Sequence, residues 1–289
     1  MPKVLVLGAD GMIGSAIYNL LLKSDFDLYG STRRNSDGSL IFVDVNNLEF
    51  EQDLNFLTPG SYLVNCIGLI RHKISKDSEN EAWEINSEFP KLLAQFALQK
   101  QLRLINICTD CVYSGNNGGY DENSVYDPID VYGKSKASGE SNNSSVMNLR
   151  TSVIGPEKNS SLELLSWVLS TQDKGILQGY TNHYWNGVTS LALAKVIEGI
   201  IRHDLFESGK VHLVPANEMT KFDLVKEIAS LGKRGDISVV PFMAPNSVNR
   251  TLSTVNVQRN RALWKSAGYF EAPSIQELLT EVLPLSNMK

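Results

Sequence analysis

The stretch Tyr132-Gly-Lys-Ser-Lys136 sets a phenol and an amine four residues apart. On a helix these side chains share one face. An ammonium beside a phenol stabilises the phenolate and draws its pKa down from ~10 toward the working pH. Such a phenol can give a proton to a carbonyl oxygen as hydride reaches the carbon. Upstream, Thr109 closes the apolar run Arg103–Cys108 and is followed by Asp110 and Cys111. A hydroxyl at a strand tip can hydrogen-bond a substrate carbonyl and polarise it. The Tyr–Lys spacing alone is common on exposed helices, so its meaning depends on what else the chain carries.

It carries a glycine turn. Gly8-Ala-Asp10-Gly11-Met12-Ile13-Gly14 follows the apolar run Lys3–Leu7 and opens an amphipathic segment. In a strand–turn–helix unit Gly8 permits the sharp turn, Gly11 lets backbone approach a pyrophosphate, and Gly14 lets helix and strand pack closely. The free N–H groups and partial positive charge of the helix start suit phosphates. The next strand ends in Tyr29-Gly-Ser-Thr-Arg33-Arg34, where an NAD-binding site would carry an acid. A guanidinium there can clamp a 2′-phosphate, which favours NADP(H) over NAD(H). Asp44 and Val45, after a third strand, are placed to touch the adenine.

These groups need a scaffold. Strands are expected at Lys3–Leu7, Asp27–Tyr29, Ser39–Val43, Ser61–Ile67, Arg103–Cys108, Val146–Leu149 and Lys210–Val214. Helices are expected at Met12–Lys23, Asn80–Gln99, Val131–Ser141 and Leu191–Arg202. Pro128 and Asp130 are start signals for the third of these. Such alternation predicts an α/β fold with a doubly wound parallel sheet, in which strand C-terminal ends face the ligand crevice. Residues 1–155 with about 188–215 then form the dinucleotide-binding domain. About 156–187 and 216–289 form a smaller substrate-binding lobe, with helices near Lys221–Leu231 and Ile275–Val282 and an irregular stretch Val239–Asn256.

Composition excludes several classes. The net charge is -5 over 289 residues, and no basic stripe marks a nucleic-acid partner. No apolar run reaches the ~18 residues of a membrane helix, and no signal pattern opens the chain, so a cytoplasmic protein is expected. Three cysteines make no disulfide framework. Cys108 and Cys111 have redox-pair or half-zinc spacing. A structural zinc, however, needs four ligands; only Cys66 remains, and the four histidines show no ligand spacing. No metal is expected. Residues three apart on a strand face opposite ways unless the chain bends. Cys108 therefore reads as a small buried hydrophobe and Cys111 as a wall of the substrate cleft. In the loop Gly179–Gly187, Trp185 or Tyr184 could stack on a nucleoside base.

Taken together, the sequence resembles the extended short-chain dehydrogenase/reductase family and, within it, the dTDP-4-dehydrorhamnose reductase group. The matching pieces are "GADGMIG", "NCIG" (Asn65–Gly68), "INSEFPKLLA" (Ile85–Ala94), "TDCVYSG", "YDENSVYDPIDVYGKSKASGE", "LRTSVIG" (Leu149–Gly155) and "RTLS" (Arg250–Ser253). The resemblance implies a Rossmann fold and NAD(P)H-dependent reduction of a nucleotide-linked 4-keto-6-deoxy sugar for surface polysaccharide. It gives Thr109, Tyr132 and Lys136 the catalytic roles that their chemistry suggests. Cofactor contacts are expected from Gly8, Asp10, Gly11, Met12, Ile13, Gly14, Arg33, Arg34, Asp44, Val45, Cys66, Ile67, Gly68, Tyr132 and Lys136. Substrate contacts are expected from Asp110, Cys111, Trp185 and Arg250. The expected partner is a nucleoside-diphosphate sugar, with a homodimer left open. Two positions depart from the group: Cys111 stands where Tyr is common and Val153 where Trp is common, so the sugar nucleotide is open. Dehydratases of the family carry Glu where Cys111 stands, and a thiol of pKa ~8.5 replaces that base poorly. Two alternatives remain, a sugar-nucleotide epimerase with retained NAD and a non-catalytic NADP-sensing regulatory subunit.

Overall fold

The structure is a computed structural model that describes residues 2–34, 38–157 and 163–286. Residues 158–162, inside the segment 156–187 expected for the lobe, lie outside them. The first strand, β1 (Lys3–Leu7), explains the layering. Val4 and Val6 belong to one apolar cluster, Leu5 and Leu7 to another, and all four are fully buried. Period-two alternation sends successive side chains into two different cores, as a strand between two helix layers requires. One core is closed by α1 (Met12–Leu21) and the helix Ser190–Arg202, the other by the helix Phe89–Gln99.

Around β1 stand β2 (Asp27–Thr32), β3 (Ile41–Phe42), β4 (Tyr62–Asn65), β5 (Arg103–Cys108), β6 (Val146–Arg150) and an edge strand Gly209–His212. Their order is β3-β2-β1-β4-β5-β6-edge, with every pairing parallel. The winding reverses between β1 and β4, which opens a crevice at the strands' C-terminal ends. This is the doubly wound Rossmann sheet expected from the sequence.

The registers align Asn65 with Asn106 and Asn106 with Asn148 across three strands. Asn65 Nδ2 donates to Asn106 Oδ1 at 2.9 Å, and Asn106 Nδ2 to Asn148 Oδ1 at 3.2 Å. Asn148 Nδ2 donates to the Ser141 carbonyl at 2.9 Å, while Asn65 Oδ1 accepts from Ile67 N at 3.1 Å. All three amides are buried, and this mutual pairing is what makes that burial tolerable.

A second group of elements packs around Leu165, Val168, Leu224, Ile228 and Leu279. It contains the parallel pair Ile176–Tyr180 with Ser238–Phe242 and the helices Leu164–Ser170, Lys221–Leu231 and Ile275–Ser286. The stretch expected to be irregular thus holds the strands Ser238–Phe242 and Val248–Asn249. The helix Val257–Ser266 escapes the sequence reading, and its Leu263 and Trp264 join the main core. The expected helix Asn80–Gln99 is broken by a π turn at Glu84–Glu88. Pro90 causes the break. It donates no N–H, and its ring crowds the carbonyl four residues back, that of Asn86. Among the described residues, no helix is long and apolar enough to cross a membrane.

Candidate active site

The glycine turn faces the crevice. Gly8 has φ +74°, and a Cβ on Gly14 would lie 2.1 Å from the Gly8 carbonyl oxygen, so both glycines are demanded by the fold. Gly11 is different: a Cβ there would make ordinary contact with that oxygen at 3.4 Å. Its missing side chain leaves space on the cleft side, at the N-cap of α1, whose first turn carries no acid. Gly8 N donates to Ser31 Oγ at 3.1 Å and Ala9 N to the Ser31 carbonyl at 2.8 Å, stitching the turn to β2.

Three cavities open side by side, and Cys66 and Gly68 at the end of β4 line all of them. One is walled by Gly8, Asp10, Gly11, Arg33, Arg34, Asp44, Val45 and Ile67. The next, over the start of α1, is walled by Met12, Ile13, Lys73, Glu157 and Glu163. The third, of about 330 Å³, holds Thr109, Asp110, Cys111, Tyr132 and Lys136, with Arg71, Ser152 and Val153. Apart from Gly14, packed beneath the turn, every expected cofactor position lines this continuous cleft. Arg34 Nε lies 3.4 Å from Asp10 Oδ2, whereas Arg33 is exposed with no ion pair among the described residues.

Strand β5 stops at Cys108, and the chain bends into a tight turn, Asp110–Val112. Thr109 caps that turn. Its Oγ1 accepts from Cys111 N at 3.2 Å, donates to Asp110 Oδ1 at 3.1 Å and meets the Tyr132 phenol. Tyr132 and Lys136 lie on the helix Val131–Ser138, which ends three residues earlier than expected. Asp130 fixes its start: Oδ1 accepts from Gly133 N at 2.8 Å, and Oδ2 pairs with Arg71 Nη2 at 2.5 Å. Gly139 is its C-cap, and only glycine fits there, because a Cβ would lie 2.1 Å from the Asn86 carbonyl oxygen.

The Tyr132 phenol titrates well above its ordinary range. Burial is the main cause, with Cys111 and Asp110 adding and Thr109 and Arg71 opposing. The sequence places the Lys136 ammonium beside that phenol to lower its pKa. In the structure Lys136 Nζ instead donates to the Ile107 carbonyl at 3.1 Å, and its charge bears on Cys66 and Cys108. The phenol is thus held protonated. Burial likewise pushes the Cys66 and Cys111 thiols up to about 12, so neither is a ready nucleophile. All three cysteines are free, and no metal-ligating cluster occurs among the described residues.

Trp185 does not reach the cleft. It is 4% exposed in the second core, and its indole N–H donates to Ser152 Oγ at 2.9 Å. Burial of the large ring outweighs its use as an open stacking platform. Arg250 donates from Nε to the Tyr113 carbonyl at 2.9 Å and extends its field to Cys111. Asn86 is a positioning residue that the sequence reading passes over, although it stands inside the "INSEFPKLLA" piece. Its amide accepts from Leu69 N (2.8 Å) and donates to the Leu69 carbonyl (2.9 Å) and Ser135 Oγ (3.2 Å). It therefore ties the loop after β4 to the helix carrying Tyr132.

A Rossmann crevice with this glycine turn and a Thr, Tyr and Lys on one wall defines an extended short-chain dehydrogenase/reductase. Comparison with known proteins agrees. The family described as RmlD substrate binding domain matches residues 2–285, and the chain belongs to it. A dTDP-4-keto-6-deoxy-D-glucose reductase of Streptomyces niveus is 24% identical over 297 residues, 98% of this chain and 97% of that protein. Methionine adenosyltransferase 2 subunit beta of Rattus norvegicus is 28% identical over 138 residues, 48% of this chain and 41% of that one. Among solved structures, dTDP-4-dehydrorhamnose reductase of Bacillus anthracis in complex with NADP superposes with TM-score 0.79 at 19% identity, covering 99% of this chain and 100% of that one. MoeE5 in complex with UDP-glucose and NAD gives 0.76 at 20% identity, covering 98% and 97%.

Proposed function

We propose that this protein is a nucleotide-sugar oxidoreductase, an NADPH-dependent reductase of a nucleotide-linked 4-keto-6-deoxy sugar. The observation that carries the reading is the convergence of Thr109, Tyr132 and Lys136 on a cavity continuous with the glycine turn. The named activities of the full-length relatives support it. Bound NAD(P)H supplies a hydride. Gly8, Gly11 and the start of α1 hold its phosphates, and Cys66–Gly68 lie along its length. Exposed Arg33 takes a 2′-phosphate, which favours NADPH. Thr109 hydrogen-bonds the substrate carbonyl. Tyr132, kept protonated by burial, gives that oxygen its proton. Lys136, on the cavity wall, holds ribose. The second core, about 156–187 and 216–289 without the helix Val257–Ser266, forms the substrate lobe.

The half-length likeness to methionine adenosyltransferase 2 subunit beta, with Lys136 tied back to Ile107, favours a second reading as a cofactor-binding regulatory subunit. One experiment decides. The purified protein is mixed with NADPH and a panel of dTDP-, UDP-, GDP- and CDP-linked 4-keto-6-deoxy sugars, and absorbance at the reduced nicotinamide band is followed. Oxidation with at least one sugar supports the reductase. NADPH binding without oxidation by any supports the regulatory reading. Protein that arrives carrying NAD and interconverts sugars without added cofactor supports an epimerase.

A further inference from the structure

A general acid that gives up its proton must recover one before the next turnover. At Tyr132 the deprotonated form is costly, because burial disfavours the phenolate. Lys136, on the same helix, is turned away: its Nζ donates to the Ile107 carbonyl at 3.1 Å. The helix start abuts the turn after β5 instead. A Cβ on Gly133, next to Tyr132, would lie 2.2 Å from the Cys111 carbonyl oxygen, so backbone packs on backbone there. At this junction the Tyr132 phenol meets Thr109 Oγ1, which donates to Asp110 Oδ1 at 3.1 Å. The other charged or titratable groups facing the phenol are Cys111 and Arg71. Burial pushes that thiol up to about 12, and the guanidinium, paired with Asp130 at 2.5 Å, keeps its proton. Asp110 is half-buried on the wall of the Tyr132 cavity, and besides Tyr132 the groups facing it are Cys111 and Lys221. Of the phenol's neighbours, only Asp110 combines a proton-exchanging group, a hydrogen bond to Thr109 and a place on an open cavity.

We propose that Asp110 is the solvent end of a proton relay, Asp110–Thr109–Tyr132, that recharges the general acid after each reduction. The inference rests on the reductase reading and deepens it. When the substrate oxygen takes the Tyr132 proton, an O–H bond breaks at the phenol and one forms on the product. Asp110 takes a proton from solvent and passes it to Thr109 Oγ1, as Thr109 passes its own proton to the phenolate. A hydroxyl suits the middle position, since its one donor and two acceptor sites turn with the rotor. One proton enters per turnover, and Asp110 acts on Tyr132 through Thr109.

Asp110→Asn tests this, because the amide keeps the size and an acceptor for Thr109 but cannot pass a proton on. With NADPH and an accepted keto sugar, stopped-flow absorbance should show about one NADPH oxidised per site at a rate near wild type. Steady-state turnover should then be lower by roughly a hundredfold, the low end of a general acid's contribution. A pH-indicator dye in weak buffer should show proton uptake in step with NADPH oxidation in wild type and lagging behind it in the variant. Added imidazole should restore the variant's steady state in proportion to its concentration, and Asp110→Glu should recover most of it. NADPH affinity and melting temperature should stay near wild type. First and later turnovers slowed alike, with no lag and no rescue, would assign Asp110 to holding the turn and overturn the relay, as would unchanged turnover. Either result leaves the reductase reading standing. Absence of oxidation by wild type with every sugar overturns that reading, and the relay with it.

Discussion

Two polar clusters sit at neighbouring strand ends, and they are built on opposite rules. At the end of β6, Arg150 is completely buried and every donor has a partner. Nε donates to Glu140 Oε1 (3.2 Å), Nη1 to the Tyr113 hydroxyl (2.7 Å) and His212 Nε2 (2.8 Å), and Nη2 to the Tyr126 hydroxyl (2.7 Å) and Glu140 Oε2 (2.6 Å). At the end of β5, Thr109, Tyr132 and Lys136 share few bonds and line a cavity. The first cluster spends its hydrogen-bonding capacity on the protein, and the second reserves it. A saturated network specifies structure; an unsaturated one beside a cavity specifies a ligand.

The largest effect should come from the unsaturated side. Tyr132→Phe should cut turnover by about 10²–10⁴-fold, the usual contribution of a positioned general acid. Its melting temperature and NADPH affinity should remain near wild type. Wild-type-like turnover in this variant would erase the distinction between the clusters.

Glu140→Gln should do the reverse, lowering unfolding stability by about 3–5 kcal/mol, because it leaves a buried guanidinium uncompensated. Denaturant titration reads this directly. A smaller loss when Arg150→Met and Glu140→Leu are combined would show that the cost lies in the orphaned charge.

Asn86→Ala joins the two behaviours, since its amide is buried yet serves the cleft. Stability should drop by about 1–3 kcal/mol for the groups left unpaired. NADPH affinity should fall too, because Leu69 loses its tether. A stability loss with unchanged cofactor binding would assign Asn86 to the structural side.

Arg33→Ala should narrow the ratio of NADPH to NADH affinity by roughly tenfold or more, the scale of one charge-assisted contact. An unaltered ratio would remove Arg33 from cofactor choice.

The smallest effect is on pH. Arg150 donates to His212 Nε2, so that nitrogen must accept, and Nδ1–H donates to the Ser253 carbonyl at 2.8 Å. Burial and the Arg150 charge hold the His212 pKa below its ordinary value. Its contribution to stability is therefore present above the unfolded pKa of ~6.5 and is lost as pH falls toward the lower folded value. Melting temperatures below pH ~6.5 should decline less in His212→Gln than in wild type.

Much of this was legible before any coordinates. Strand β5 and the helix Lys221–Leu231 follow their apolar patterns residue for residue, because local periodicity and burial agree there. The catalytic-type residues were readable because a strand tip, a helix face and a glycine turn are local devices. What escaped depends on contacts between distant segments. The direction of the Lys136 ammonium is set by a carbonyl on another strand. The burial of Trp185 is set by a core assembled from several distant segments. The approach of Lys221 to Asp110 and Glu163 appears only when those distant segments are brought together. The π turn at Asn86 was half-visible, because Pro90 announces a fault in the helix without saying that Gly139 will dock there.

The asparagine chain through Asn65, Asn106 and Asn148 has a mechanical consequence. Slippage of any one of these strands by a single residue would strand an amide in hydrocarbon. The three therefore behave as a keyed block, and the heights of their tips, Cys66 and Thr109 among them, are not free to adjust. Any accommodation of a differently shaped sugar must come from the loops and the smaller core, leaving the dinucleotide side of the crevice a rigid ruler against which guests are measured.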